Sequence, residues 1–266
     1  MFKKYRFLLA RRFVQFALIA LYGSANWYGL KALRGNMSES LLMGKVPLTD
    51  PYAVLQIFCT GTIVGFDALI GAAIIAIFYA LIGGRAFCSF VCPINLVTDL
   101  ANFARRWLRF DEVERKVFIS RSVRYWVLAL GLILSFITGV AAYEIINPIG
   151  ILSRGLIYGI GFGFAVVIGV FLFDMFALKN GFCGHICPVG GFYAIIGKYR
   201  LLKVKHDSEK CSKCMNCVAV CPEKQVLYMV GKESRVVDNS ECTNCGRCIE
   251  VCNDDALHFS LTAFSK

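Results

Sequence analysis

The chain has 266 residues, of which 57% are hydrophobic, and its mean hydropathy is +0.60. That composition is too apolar for an ordinary soluble domain of this length. The basic residues exceed the acidic ones by 29 to 18, but they flank apolar runs. The net charge of +11 therefore predicts membrane topology and argues against nucleic-acid binding.

Long uncharged runs predict four membrane-spanning helices rather than a buried helical bundle. A helix of about 18 residues is about 27 Å long, which is close to the apolar thickness of a bilayer. The predicted spans are 13–32, 66–84, 125–144 and 157–177. Residues 51–64 are also apolar, but a fifth span would place the two cysteine motifs described below on opposite sides. We therefore expect a re-entrant or interfacial helix at 51–64.

The distribution of Lys and Arg predicts the orientation of these spans. Basic residues concentrate before the first span, between the second and third, and after the fourth, whereas the other two loops carry few. Basic loops stay on the cytoplasmic side. We therefore expect a multi-pass protein of the bacterial cytoplasmic (inner) membrane, with both the N-terminus and the C-terminus in the cytoplasm.

The membrane domain, 1–202, contains a duplicated motif. Two cysteines four positions apart precede a proline at 88–93, and the same pattern returns 95 residues later at 183–188. Each motif follows a predicted span and precedes an amphipathic, basic segment. The stretches DPYAVLQ and NPIGILS also correspond between the halves. This pattern predicts two parallel repeats of two spans each.

The tail, 203–266, is less apolar and predicts a separate cytoplasmic domain. It contains the spacing C-x2-C-x2-C-x3-C twice, which is typical of α+β bacterial ferredoxins with two [4Fe–4S] clusters. In that pattern the fourth cysteine of each run ligates the other cluster. The predicted ligands of cluster I are Cys211, Cys214, Cys217 and Cys252, and those of cluster II are Cys242, Cys245, Cys248 and Cys221. Zinc sites and disulfides fit this spacing and compartment less well.

The duplicated motif contributes four further cysteines: Cys88, Cys92, Cys183 and Cys187. Positions i and i+4 share one face of a helix, so each pair can present two thiols to one ligand. Three interpretations stay open: a shared metal or further iron–sulfur centre, redox-active or docking thiols, and buried apolar side chains. His185 lies inside the second motif only, and we expect no ligand role for it.

A membrane domain joined to an electron carrier needs an electron donor or acceptor, and quinol is the lipid-soluble candidate. Oxidation of quinol releases protons, so carboxylates close to the apolar zone are candidate acceptors. The candidates for quinol binding or proton handling are Asp50, Asp67, Glu144, Arg154 and Asp174. Each of them also has a simpler interpretation as an end cap or as a partner for a loop charge.

The motifs RAFCSFVCPINLVTDLANFARR and LFDMFALKNGFCGHICPVGGFY, with the double cysteine run, resemble the NapH family of ferredoxin-type membrane proteins over nearly the whole chain. The stretches VPLTDPYAVLQ and INPIG fit as well. The resemblance implies a quinol dehydrogenase component of the periplasmic nitrate reductase system. Electrons would pass to a periplasmic iron–sulfur partner (NapG-like) or a membrane-anchored multihaem cytochrome (NapC-like), either across a centre at the duplicated cysteines or after exchange with a cytoplasmic partner.

Other functions compete with this one. A metal-handling or oxidase-assembly ferredoxin, similar to a copper reductase, would carry the same duplicated cysteines, but the chain has no Met-rich or His-rich loop. A regulatory flavoprotein relative would need a large outer domain, and the outer loops are too short. A structural anchor would not need eight cluster ligands.

Overall fold

The computed structural model describes residues 2–29, 32–109, 119–159 and 161–261. The predicted spans 13–32 and 157–177, the basic middle loop and the predicted tail domain each include residues outside this set. The α-helices are α1 Phe2–Tyr28, α2 Pro51–Cys59, α3 Phe66–Ile82, α4 Ala86–Phe90, α5 Ile94–Trp107, α6 Val123–Thr138, α7 Ala142–Ile146, α8 Pro148–Tyr158, α9 Phe164–Leu172, α10 Pro188–Ile196, α11 Asn216–Val220 and α12 Arg247–Glu250. The strands are β1 Leu33–Gly35, β2 Glu39–Leu42, β3 Val46–Thr49, β4 Leu202–His206, β5 Arg235–Val236 and β6 Leu257–Leu261.

The chain forms two compact units. The tail unit comprises Met1–Gln15, Phe78–Val91 and Tyr193–Lys266, and the helical unit comprises Phe16–Ile77 and Cys92–Phe192. Three segments that precede the predicted boundary at residue 203 thus belong to the tail unit. One is the start of α1, the second contains α4 with Cys88, and the third is 193–202.

Helix α1 begins earlier than the predicted first span. Its basic residues continue the helix toward the N-terminus because Lys and Arg are good helix formers. Gly29, with a φ of 67°, follows the last helical residue, as is common at helix C-termini. In the described part of the chain, Tyr5–Ala25 is the one helical stretch that is long and apolar enough to cross a membrane.

Three shorter apolar helices, Phe66–Ile82, Val123–Thr138 and Phe164–Ala177, lie where the other spans were predicted. Each is shorter than the roughly 20 residues of a typical span. The range 125–144 is not one helix, because Gly139 adopts a left-handed φ of 69° and ends α6. The range 157–177 is interrupted after Tyr158, where α8 ends, and its last turn is π-helical. The arrangement of four spans therefore stays a prediction.

Two short helices of the helical unit begin in the same way. The Asp50 carboxylate accepts a hydrogen bond of 3.1 Å from the Tyr52 N–H at the start of α2. The Asn147 side chain accepts one of 3.1 Å from the Ile149 N–H at the start of α8. In both cases a proline occupies the first helical position, where its missing N–H costs no hydrogen bond. The DP and NP stretches are thus equivalent helix caps.

A small antiparallel sheet that was not predicted from the sequence follows α1 and precedes α2 in the chain. Its strands follow the order β1-β2-β3, with Leu33 opposite Leu42 and Ser40 opposite Leu48. Its strands are three or four residues long, and such short strands leave little alternating pattern to detect.

The tail unit contains a second antiparallel sheet, with β4 at the centre of the order β5-β4-β6. Its core is formed by apolar side chains from the sheet and the adjoining turns, and two of the cluster cysteines belong to it. The core residues include Val204, Val226, Met229, Val237, Leu257, Cys217 and Cys248. The tail therefore has the mixed helix and strand content that the ferredoxin spacing predicts.

Candidate functional site

The eight cysteines of the tail line two cavities. Cys242, Cys245 and Cys248 line one cavity together with Cys221. The other cavity is lined by the remaining four: Cys211, Cys214, Cys217 and Cys252. In each set the fourth thiol comes from the other run. The structure thus brings the cysteines together in the crossed pattern that the spacing predicts, and four thiols around each void fit a [4Fe–4S] cluster.

Left-handed backbone conformations shape both cysteine loops. In loop I, Cys211–Cys217, they occur at Lys213 and Met215, with φ values of 60° and 58°. In loop II, Cys242–Cys248, the equivalent residues Asn244 and Gly246 have φ values of 49° and 73°. Non-glycine residues rarely adopt this conformation, and it concentrates at functional sites. Its repetition at equivalent positions indicates that both loops are folded for the same purpose.

Burial raises the pKa of several of these thiols. The pKa of Cys248 is well above its usual value, and those of Cys217 and Cys242 are raised, in each case mainly by burial. Without a cluster these thiols keep their protons at neutral pH. Binding of a cluster displaces those protons, because the thiolate is the ligand.

The two loops differ in their exposure to solvent. Cys214 and its neighbours Lys213 and Met215 are exposed in loop I. In loop II, Asn244 is buried and donates a hydrogen bond of 2.9 Å to the Leu202 carbonyl. Loop II is therefore covered by the protein, and loop I lies at the surface of the tail unit.

The segment with the first duplicated motif is attached to loop II. The buried Arg85 guanidinium donates to the Glu223 carboxylate over 2.6 Å and to the Glu241 carbonyl over 2.9 Å. The Ser89 hydroxyl donates to the Thr243 carbonyl over 2.8 Å. Cys88 lies between these two anchors on α4, so this part of the motif is held against the loop of cluster II.

The start of α1 also covers loop II. The backbone N–H groups of Phe7 and Leu8 donate to one oxygen of Glu250, over 2.6 and 2.8 Å. The Phe7 ring packs edge to face on Phe259 with a centroid distance of 5.4 Å. A Cβ atom at Gly246 would approach Phe7 Cγ to 2.5 Å, so glycine is required at this position of loop II. The sequence alone did not indicate these long-range contacts.

The expectation that each duplicated pair lies on one regular helix is wrong. Helix α4 ends at Phe90, before Cys92. In the second motif a π-helical turn ends at Ile186, and Cys187 has a ψ of 113°, outside the helical range. A proline follows each second cysteine, and a proline disfavours the helical conformation of the residue before it.

Three of the duplicated cysteines interact within the helical unit. The pKa of Cys183 is raised mainly by burial, and then by the charges of Asp174, Cys187 and Cys92. The Thr98 hydroxyl and the Cys183 sulfur lie 3.3 Å apart. Among the residues that the structure describes, no group of three or more His, Cys, Asp or Glu side chains is placed to hold a single metal ion.

His185 is a neutral side chain beside this cysteine group. Burial, followed by the charges of Arg121 and Arg124, lowers its pKa to about 4. Residue 185 has no histidine counterpart in the first motif. The expectation that it is not a ligand stays a prediction.

Three of the five candidate proton-handling residues lie together. Glu144 accepts hydrogen bonds from the Ser38 hydroxyl at 2.5 Å and the Asn147 amide at 2.9 Å, and its carboxylate lies 3.7 Å from the Arg154 guanidinium. Asp50 interacts electrostatically with Glu144. Burial, and then the Glu144 charge, raise the pKa of Asp50 to about 7 against the opposing effect of the Tyr52 N–H. Asp50 can therefore exchange a proton near neutral pH.

The other two candidates lie elsewhere. Asp174 is fully buried and accepts a hydrogen bond of 2.8 Å from the Phe182 N–H, next to Cys183. Asp67 is exposed in the first turn of α3.

Two families match the chain. The family described as "4Fe-4S binding domain" matches twice, at residues 64–111 and 159–206, and the family described as "4Fe-4S dicluster domain" matches residues 203–253. The two matches of the first family are offset by the same 95 residues that separate the duplicated motifs. The fold and the cysteine sets thus define an iron–sulfur electron-transfer protein with a dicluster ferredoxin domain.

Curated relatives give a more specific assignment. The chain is 44% identical to the "Ferredoxin-type protein NapH" of Escherichia coli K12 over 85% of its length and 78% of the relative. It is 41% identical to the "Methylamine utilization ferredoxin-type protein MauN" of Methylorubrum extorquens over 82% of its length and 75% of the relative. The chain is also 40% identical to the "Ferredoxin-type protein NapH" of Haemophilus influenzae, over 84% of its length and 77% of the relative. The chain belongs to the ferredoxin-type NapH family, which confirms the resemblance. No solved structure matches it.

Proposed function

We propose that the chain is a membrane-bound electron-transfer subunit that oxidises quinol. The observation that carries the proposal is the gathering of eight cysteines into two crossed sets of four around two cavities. When bound, each [4Fe–4S] cluster supplies a one-electron carrier, so two clusters match the two electrons that a quinol releases. The ligand assignment for clusters I and II is part of this proposal.

The exposed faces of the apolar helices support the location in a membrane. Large apolar side chains are exposed on α3, α6 and α9. Their exposed fractions include 75% for Phe66, 60% for Ile77, 75% for Trp126, 75% for Phe136 and 50% for Ile168. So many exposed large apolar side chains on three helices are unusual for a soluble monomer and fit contact with lipid. We place four spans in the inner membrane with both termini in the cytoplasm, in agreement with the distribution of Lys and Arg.

The group of Asp50, Glu144 and Arg154 is the proposed proton-accepting site for quinol. A quinol loses two protons with its two electrons, and the two carboxylates match that number. The raised pKa of Asp50, about 7, suits a base that accepts a proton and releases it again. Arg154 and the hydrogen bonds from Ser38 and Asn147 hold Glu144 in position.

The duplicated cysteines are a proposed further centre. Support comes from the interaction among Cys92, Cys183 and Cys187, and from the family described as "4Fe-4S binding domain", which covers both motifs. We assign Cys88, on α4, to the same electron path, because its segment is anchored to loop II.

The proposed destination of the electrons is a periplasmic nitrate reductase, reached through a NapG-like iron–sulfur protein or a NapC-like multihaem cytochrome. This step rests on the NapH relatives. The MauN relatives, named for methylamine utilization, are nearly as similar to the chain. The shared core therefore supports electron transfer in general, and the partner sets the destination.

The test uses protein purified without oxygen in detergent with its clusters loaded. A reduced quinol analogue is added, and cluster reduction is followed by absorbance and EPR. We expect reduction in the wild type, at a rate that rises with pH through about 7 because the ionised form of Asp50 is the base. In Asp50→Asn the rate should fall by about a hundredfold and lose this pH dependence. Glu144→Gln should also be slow, whereas Asp67→Asn, at the exposed carboxylate, should behave as the wild type.

Two results would contradict the proposal. If Asp50→Asn and Glu144→Gln match Asp67→Asn, these carboxylates do not accept the protons. If dithionite reduces the clusters and quinol does not, the donor is not quinol, and the metal-handling or assembly function becomes the better one.

A further inference from the structure

The surroundings of the two cluster cavities differ in charge as well as in exposure. This difference concerns the order in which the clusters receive electrons, a matter that the function proposed above leaves open. The inference rests on the proposed pair of clusters but not on quinol as the donor.

Arg200 is a buried cation beside loop II. Its guanidinium donates to the Val237 carbonyl at 2.9 Å and to the Asn239 carbonyl at 2.8 Å. The same Asn239 carbonyl accepts the backbone N–H of Cys242 at 3.2 Å, so Arg200 is one carbonyl group away from a predicted ligand of cluster II. The side chain is 1% exposed, so water screens its charge weakly.

The other charged groups near loop II are of both signs and include Arg247, which lines the cavity. The Arg85 cation is paired with the Glu223 carboxylate at 2.6 Å. The Glu241 carboxylate accepts a hydrogen bond of 2.6 Å from the Gln225 amide. Asp238 acts on Arg200 but is half exposed, at 50%. The Arg200 charge also acts on the Cys242 thiol, and more than the Arg85 charge does.

Loop I has a carboxylate at a different place, bonded to the residue after Cys211, and this carboxylate is more exposed to water than Arg200. The Cys211 N–H donates to the Ser208 carbonyl at 3.3 Å, which is the equivalent of the bond between Cys242 and Asn239. The Asp254 carboxylate lines the cavity of cluster I and accepts two hydrogen bonds from Ser212, at 2.9 and 2.5 Å. The strongest charge interactions of Cys217 are with the other three cysteines of its set.

We propose that the positive charge of Arg200 at cluster II and the negative charge of Asp254 at cluster I separate the two reduction potentials, so that cluster II receives electrons first. Each cluster gains one electron and hence one negative charge on reduction. A nearby cation stabilises the reduced form and raises the potential, whereas a nearby carboxylate lowers it. Cluster II is also the one whose loop is anchored to the segment of Cys88, so it is placed to receive electrons from that side.

The experiment is an EPR-monitored potentiometric titration of the loaded protein with dithionite and mediators, and it does not require quinol. Cys214→Ser identifies the signals, because oxygen ligation changes the spectrum of cluster I alone. In Arg200→Gln, at full iron content, we expect the equilibrium constant for electron transfer from cluster I to cluster II to fall at least about tenfold. That change corresponds to about 59 mV for one electron. Arg200→Lys should keep most of the wild-type potential of cluster II.

Arg235→Gln is the matched control, since Arg235 is an exposed arginine of the same unit, and both potentials should stay as in the wild type. An unchanged cluster II potential in loaded Arg200→Gln, or equal shifts of both clusters, would overturn the proposal. If Arg200→Gln loses iron, Asp254→Asn provides the test without altering a buried group. Asp254→Asn must raise the reduction potential of cluster I and so reduce the difference between the two reduction potentials. An unchanged difference refutes the proposal.

Discussion

Loop I and loop II have the same cysteine spacing and the same left-handed backbone positions, yet their surroundings are opposite. Loop I exposes Cys214, Lys213 and Met215 to solvent. Loop II is covered by the start of α1 and by the segment of α4. The cysteine spacing thus determines what each loop can bind, whereas the covering segments determine how far each cysteine set is shielded from water.

Substitution of a single ligand should have the largest effect. Cys248 is buried in the core of the tail unit, and Cys214 is exposed. We expect Cys248→Ser to lose cluster II, about half of the roughly eight irons of two clusters, and to lower the melting temperature strongly. Cys214→Ser should keep the fold and most of its iron. Iron analysis with thermal unfolding measures both. Equal losses in the two variants would contradict the difference between the loops.

Disruption of the buried ion pair between Arg85 and Glu223 at loop II should have the second largest effect. Glu223→Gln leaves Arg85 without its carboxylate in a site where both side chains are 2% exposed. Loss of one partner from such a pair costs about 3–5 kcal/mol. The control, Asp207→Asn, removes the carboxylate of the exposed pair with Lys210 near loop I and should change stability by less than about 1 kcal/mol. Denaturant unfolding of the loaded protein measures the free energy of unfolding of both variants. Similar losses in Glu223→Gln and Asp207→Asn would contradict the difference between the two ion pairs.

Substitution at Gly246, the second left-handed position of loop II, tests how this loop is covered. Gly246→Ala adds a Cβ that would lie 2.5 Å from Phe7 Cγ, at a φ of 73°. Overlap and the left-handed conformation together should cost about 2–4 kcal/mol. The start of α1 should also become more accessible to proteases. A variant as stable as the wild type would show that Phe7 does not pack on loop II.

The smallest effect is expected for Met215→Gly, at the loop I position equivalent to Gly246. Met215 has a φ of 58° and is 47% exposed. Met215→Gly relieves the left-handed conformation, and the greater freedom of glycine in the unfolded chain offsets part of the gain. Stability should therefore be unchanged or higher by up to about 1 kcal/mol in the same unfolding experiment. A clear loss would mean that the Met215 side chain has a structural role in loop I.

The sequence predicted the features that depend on local spacing. The crossed cysteine sets followed from two regular runs, and the correspondence of the DP and NP stretches agrees with the equivalent caps that Asp50 and Asn147 form. The duplication was visible for the same reason, and the paired family matches confirm it.

Contacts between segments that are distant in the chain could not be predicted from the sequence. Nothing in the pattern around Phe7 or Arg85 shows that these residues meet residues some 140 to 240 positions away. The approach of Glu144 to Asp50 is likewise a result of tertiary packing. The exact extent of the apolar helices was also missed, because Gly139 and the break after Tyr158 interrupt runs that are continuous in hydrophobicity.

The most direct test of the account is the order in which quinol reduces the two clusters. The loaded protein is mixed without oxygen with less quinol than is needed for both clusters, frozen at increasing times and analysed by EPR. The account predicts that the cluster II signal appears first and that cluster I follows. Appearance of the cluster I signal first, or of neither signal while dithionite still reduces both, would contradict it.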